Sequence, residues 1–224
     1  MIAYYKQRNN FTNIGVFLVL ALLAVTVFYG CRKKEIGKYH LGNLKDQNPF
    51  IGNETLIFIS NYDDSIVFFG NGRYSEFFHT KPHTSQERYY ENERDLCSFT
   101  EKDNNYELII DLQTHLSDVS QMFLRYIETM QLSNETCTYY TTRLNKLPLS
   151  ELPWQKGHYI DSLKVLNKYY YDVYADSSLL TDGSGNYNCS SQNQAIAIFY
   201  TTTHGIIKID FEDGTSWGLK EVIW

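Results

Sequence analysis

Residues 55–80 read TLIFISNYDDSIVFFGNGRYSEFFHT, and the rest of the fold follows from how this stretch is divided. Thr55–Ser60 and Ser65–Gly70 are short runs of β-branched and aromatic residues on either side of Asn61-Tyr62-Asp63-Asp64. That is the pattern of two strands and a polar turn. Asn71-Gly72 then separates SIVFFG from Arg73–Thr80, and Asn-Gly favours a type I′ turn because both residues tolerate positive φ. Three strands joined by two hairpins are therefore expected over 55–80. Aromatics fall on both parities (Phe68 and Phe69, Tyr74, Phe77 and Phe78), so the inward face is not assigned.

Working downstream, residues 81–95 are highly polar and read as a long loop with room for one edge strand. Leu96–Glu101 and Tyr106–Gln113 flank Lys102-Asp103-Asn104-Asn105 as another hairpin. Val119–Met130 carries both a helical i, i+3, i+4 pattern and a strand alternation through Met122, Leu124 and Tyr126. The β texture of its neighbours, including Thr136–Thr142, favours the sheet, but periodicity does not arbitrate a run this short and helix and strand both stay open. KLPLSELPW, residues 146–154, holds two prolines and reads as an extended crossing. Ile160–Val165 and Tyr169–Tyr174 form a hairpin around Leu166-Asn167-Lys168, and 176–193 is a Ser/Gly/Asn-rich loop.

Three runs close the chain: Ala195–Thr201, Ile206–Phe211 and Thr215–Trp224. A three-residue loop Glu212-Asp213-Gly214 with Gly214 left-handed sets Phe211 opposite Thr215, Ile209 opposite Trp217 and Ile207 opposite Leu219. That register collects the apolar side chains on one face and turns Lys208 and Asp210 away. The expected fold class is all-β: an antiparallel sheet of consecutive hairpins, closed as a sandwich or a rolled sheet.

Upstream, the texture is different. The first thirteen residues contain Lys6 and Arg8 and no acid, and Ile14–Tyr29 is sixteen residues of apolar, aromatic, Gly or Thr side chains before Gly30-Cys31. These are the charged, apolar and small-residue regions of a secretory signal. The apolar core is at or below the roughly 17 residues that a spanning helix needs. A cysteine directly after the small residue marks a lipoprotein signal, since its thiol can receive a diacylglyceryl group. The competing reading is an uncleaved signal anchor, and Lys6 and Arg8 against Arg32, Lys33 and Lys34 leave its orientation open. The expected organisation is a signal peptide over 1–30, the lipidated Cys31 with a tether over 31–52 that begins to dock near Pro49 and Phe50, and a single antiparallel β domain over 53–224.

Starting at Cys31, 194 of the 224 residues remain, enough for a substantial core. Without Lys6 and Arg8, 18 of the 20 basic residues stand against 26 acidic ones, a net charge of −8 that argues against nucleic acid as a partner. Three cysteines follow Cys31, namely Cys97, Cys137 and Cys189. Two of the three can form one disulfide and leave one free thiol, with three possible pairings. Their wide spacing gives no CxxC unit for zinc or redox chemistry.

Taken together, the signal ending in Gly30-Cys31, the early Leu41-Gly42-Asn43-Leu44-Lys45, the phrase Asp161–Lys168 (DSLKVLNK), and YTTTHGIIKI over Tyr200–Ile209 with Asp213-Gly214-Thr215-Ser216-Trp217 resemble small uncharacterised lipoproteins of the phylum Bacteroidota. The resemblance implies an antiparallel β domain on the outer membrane and carries no activity. Arg32-Lys33-Lys34-Glu35 lacks the acidic run that in such proteins tends to mark export to the surface, which favours the periplasmic face. Asp64-Ser65-Ile66 and Asp161-Ser162-Leu163 match the short O-glycosylation pattern of that phylum at a length where chance matches are expected.

Chemistry-bearing patterns are few. His79 and His83 bracket Lys81 and offer two metal ligands where a site needs at least three. Asp182-Gly183-Ser184-Gly185-Asn186 imitates the start of a calcium loop, but Tyr187 stands where Gly is needed and Asn193 where Glu is. There is no GxSxG phrase, and no catalytic residue, metal or cofactor is assigned. Nineteen tyrosines and Trp154, Trp217 and Trp224 could stack sugar rings, although half-buried tyrosine in cross-strand pairs accounts for most of them. The expectation is a lipid-anchored, non-enzymatic binding or structural protein of the bacterial envelope, with the membrane as partner through Cys31. A glycan or peptide binder using an aromatic face, and an envelope hydrolase, are the alternatives.

Overall fold

The computed structural model describes residues 34–82, 88–103, 105–114, 120–132, 135–145, 159–176 and 195–224. Among the described residues twelve strands run in chain order: β1 Lys34–Tyr39, β2 Thr55–Ser60, β3 Ser65–Thr80, β4 Arg88–Glu101, β5 Tyr106–Gln113, β6 Gln121–Leu132, β7 Glu135–Asn145, β8 Tyr159–Val165, β9 Lys168–Asp176, β10 Ala195–Thr201, β11 Gly205–Phe211 and β12 Ser216–Ile223. A short 3-10 helix spans Gly42–Gln47. The strand order is β7-β6-β5-β4-β3-β2-β12-β11-β10-β9-β8, with β1 paired to β4 beside this path. Consecutive hairpins build both arms, and β2 beside β12 joins them, so the all-β expectation is met.

The chain divides into two compact units, residues 1–38 with 79–91, and residues 39–78 with 92–224. Within the described part of the first, Lys38 and Glu91 form an ion pair at 2.9 Å and the rings of His79 and Tyr89 lie 4.3 Å apart.

The second unit holds the core. Along β2 burial alternates strictly, with Leu56 and Phe58 fully buried. The same cluster takes Phe68 from β3, Phe99 from β4, Leu108, Ile110 and Leu112 from β5, and Leu124 from β6. From the other arm it takes Val173, Ile198, Tyr200, Ile206, Ile209 and Leu219. One cluster fed by both arms means that this unit's sheet curls over its own face, and β7 accordingly meets β9 and β10. Each fully buried Leu, Ile or Phe contributes about 1.5–3 kcal/mol of transfer free energy, so the shared core sets the curl.

Most expected turns are present. Ser60 N donates to Asp64 O at 2.8 Å, with Asp63 at φ 68, in the β2–β3 turn. Val165 pairs with Lys168 across the Leu166-Asn167 turn, and β6 runs as a strand between β5 and β7. In the last hairpin Ile209 pairs with Trp217, Phe211 N donates to Thr215 O at 2.9 Å and Gly214 has φ 85, as the three-residue loop requires. Asn61 fastens this loop to the β2–β3 turn by donating to Gly214 O and accepting from Ser216 N.

Three expectations are corrected. Asn71-Gly72 makes no hairpin: β3 runs unbroken through it, with Gly70 N donating to Glu54 O and Gly72 N to Gly52 O. A Cβ on Gly52 would lie 2.2 Å from the Gly72 carbonyl carbon, so these glycines serve a close backbone approach that extends the strand. The described part of the expected tether, from Lys34 on, is structured: it forms β1 and the 3-10 helix, and docking begins at Leu41 rather than near Pro49, with Leu41 and Phe50 both in the core. β4, in turn, starts at Arg88, inside the stretch expected to be a loop.

Candidate functional site

Segment 41–50 is fastened by buried charge. Arg73 donates to Lys45 O at 2.7 Å, Phe50 O at 2.7 Å and Asn48 O at 3.2 Å, and its Nε donates to Asp95 at 2.8 Å. Glu93 accepts from Leu41 N at 2.8 Å and pairs with Lys45 at 2.5 Å. Burial alone would raise the Glu93 carboxyl. The Lys45 and Leu41 hydrogen bonds and the charges of Lys45 and His40 outweigh it and hold Glu93 below the usual range. From the far arm Tyr200 OH donates to Gln47 O at 2.6 Å, and Phe50 sits over Gly205, where a Cβ would be 2.0 Å from its ring. Segment 41–50 thus plugs the curled sheet between its two arms.

Beside this plug lies a cleft of about 300 Å³, between the start of β9, the β10–β11 turn and the end of β12. Its floor is Tyr170, which is buried and donates through its hydroxyl to Leu219 O at 3.2 Å. Its rim carries Lys168, Thr203, His204, Lys220 and Trp224. Lys220, His204 and Trp224 each have a local cause. The register between β12 and β2 shifts at Leu219 and Glu221, so Lys220 is the extra residue of a bulge, a device that re-aims a side chain. His204 is fixed because Thr201 Oγ1 accepts its N–H at 3.0 Å and its ring stands edge-on to Tyr170 at 5.1 Å. Trp224 leans on Phe50 with ring centres 5.8 Å apart and stays 66% exposed.

The tautomer of His204 follows from its neighbours. Lys168 Nζ lies 3.1 Å from Nε2, and an ammonium can only donate, so Nε2 accepts. The ring proton is therefore on Nδ1 and donates to Thr203 Oγ1 at 2.8 Å. Burial first, and then the Lys168 charge, lower the His204 pKa and keep the ring neutral. With Nε2 held by an ammonium and Nδ1 as donor, His204 does not take a proton from Thr203. This arrangement positions donors; it does not activate a hydroxyl as a nucleophile.

The other sequence candidates fall elsewhere. Cys97 is a free, fully buried thiol whose pKa burial pushes up to about 12; Cys31 and Cys189, and the side chain of Cys137, lie outside the described residues. His83, Trp154 and Asp182–Asn186 do so as well, and among the described residues no group of three His, Cys, Asp or Glu side chains could hold a metal. Trp217 is half-buried against Phe211, Tyr106 and Tyr126. Tyr169 and Tyr171 are exposed on the opposite face of β9 from Tyr170, away from the cleft. Ser65 and Ser162 are both exposed. Among the described residues no helix is long and apolar enough to cross a membrane. Sequence reasoning missed Lys168, His204 and Lys220. The phrase TTTHG, whose glycine sits at φ 72, was the available sign of a built turn.

Comparison of the chain with protein-family models, curated proteins and solved structures returns no match.

Proposed function

We propose that the chain is a lipid-anchored protein of the bacterial envelope, attached through Cys31 at the periplasmic face of the outer membrane, whose β domain binds a ligand without turning it over. The observation that carries the reading is the apolar run Ile14–Tyr29 ahead of Gly30-Cys31, with β1 over Lys34–Tyr39 close behind it in the chain. At about 3.5 Å per extended residue, lipid on Cys31 would hold β1 roughly 10 Å from the bilayer surface. Two or three acyl chains make such an attachment stable, where a single chain gives marginal binding. Arg32, Lys33 and Lys34 would then lie at the headgroups. Binding in preference to catalysis is supported by the His204 tautomer, which leaves Thr203 unactivated. The aromatic-face reading is favoured at one point, the exposed indole of Trp224 on the cleft rim.

Growth with an alkyne-bearing fatty acid tests the anchor. Label on the wild-type protein that is absent from Cys31→Ala is expected; an unlabelled wild type, or label retained in Cys31→Ala, would rule out lipidation at this residue.

A further inference from the structure

The cleft rim carries two ammonium groups, those of Lys168 and Lys220. Among the described residues neither Lys168 nor Lys220 has a carboxylate within 4 Å, whereas Lys45, Arg73, Arg94 and Arg125 pair with Glu93, Asp95 and Asp111. Glu221 also borders the cleft, yet the register sets it opposite Ile57, whereas its neighbour Val222 is opposite the buried Leu56. Its carboxylate is thus on the other face of the sheet. Lys168 is also pre-positioned: its Nζ is 4.8 Å from the Tyr170 ring centre and 3.1 Å from His204 Nε2. A π face and a neutral imidazole orient the charge without cancelling it.

The same rim carries Trp224, a large apolar side chain that is 66% exposed. A flat indole suits the C–H face of a pyranose ring, which is apolar, while ring hydroxyls would meet Thr203 on the same rim. A volume of about 300 Å³ is at the small end for ligand sites and matches one or two sugar rings. Resting on the reading of this domain as a binding module, we propose that the cleft takes a saccharide bearing a carboxylate. Lys168 and Lys220 meet the carboxylate, and Trp224 stacks on the ring. An inorganic anion would use the lysines and leave Trp224 without a purpose; a neutral sugar would do the reverse.

The test is a titration of the full-length protein in detergent with glucuronate, glucose and acetate, followed by Trp fluorescence and saturation-transfer NMR. A dissociation constant for glucuronate on the order of 1 mM is expected, with glucose and acetate each at least about tenfold weaker, a gap of 1.4 kcal/mol. Lys220→Met, an exposed bulge side chain whose loss leaves the core intact, and Trp224→Ala should each weaken glucuronate about fivefold or more, with unchanged circular dichroism. Equal binding of glucose, or of acetate, would overturn the acidic-saccharide assignment and leave a ligand-binding domain standing. No binding of any of the three at about 20 mM, or full binding in both variants, would overturn the assignment of this cleft. Neither result touches the anchor, which the fatty-acid label reports separately.

Discussion

Replacing Arg73 by methionine removes the donor that ties segment 41–50 to the sheet. The guanidinium spans three backbone carbonyls and Asp95, whose side chain is only 3% exposed and keeps Ser75 Oγ as a donor at 2.9 Å. Methionine fills much of the volume but leaves Asp95 a buried, under-partnered carboxylate. Breaking a buried pair from one side costs about 3–5 kcal/mol. For a chain of this size each kcal/mol lowers Tm by about 2–4 °C, so a drop of roughly 6–20 °C is expected in thermal melts followed by circular dichroism. Arg73→Lys should recover little, because one ammonium cannot replace a planar fork. Arg73→Met with Asp95→Asn should be less damaging than the sum of the two changes by about 1 kcal/mol or more, since the second change neutralises the stranded charge. A loss below about 1 kcal/mol for Arg73→Met, or strict additivity, would refute the view that this network holds the plug.

Gly205→Ala should cost about 2–5 kcal/mol, part from the left-handed backbone at φ 72 and part from the clash with Phe50. Urea denaturation would show it, and adding Phe50→Leu should not recover the backbone share. The Glu93 carboxyl is lower in the folded chain than in the unfolded one, so its stabilisation is complete above about pH 4.5 and is lost as pH falls through the lower folded value. Glu93→Gln should therefore be less stable than wild type at neutral pH, with the gap closing on acidification in melts across that window. A gap independent of pH would mean that the Glu93 charge is not what matters.

The sequence was most legible where local chemistry and burial agree. In the last hairpin the apolar side chains and Gly214 select the same register, and Ile209 indeed faces Trp217. It misled where one residue type serves two physical ends. Asn71-Gly72 has turn chemistry, but Gly52, Gly70 and Gly72 together allow two backbones to approach, and that long-range contact won. A third glycine eighteen residues before Gly70 was the only hint. Leu41, Leu44 and Phe50 looked sparse among polar neighbours because the plug is paid for by Arg73 and Glu93, which lie far along the chain. The cleft was least legible of all. Its rim gathers the start of β9, a turn and a bulge, and nothing local announces that Lys168, His204 and Lys220 meet.

The most direct measurement of the anchored-domain reading is the intact mass of the protein purified from its native membrane, beside Cys31→Ala. A chain beginning at Cys31 with the added mass of two or three acyl groups, absent from the variant, is expected. A wild-type mass equal to the full 224 residues without lipid would contradict it and make the apolar stretch a retained signal anchor.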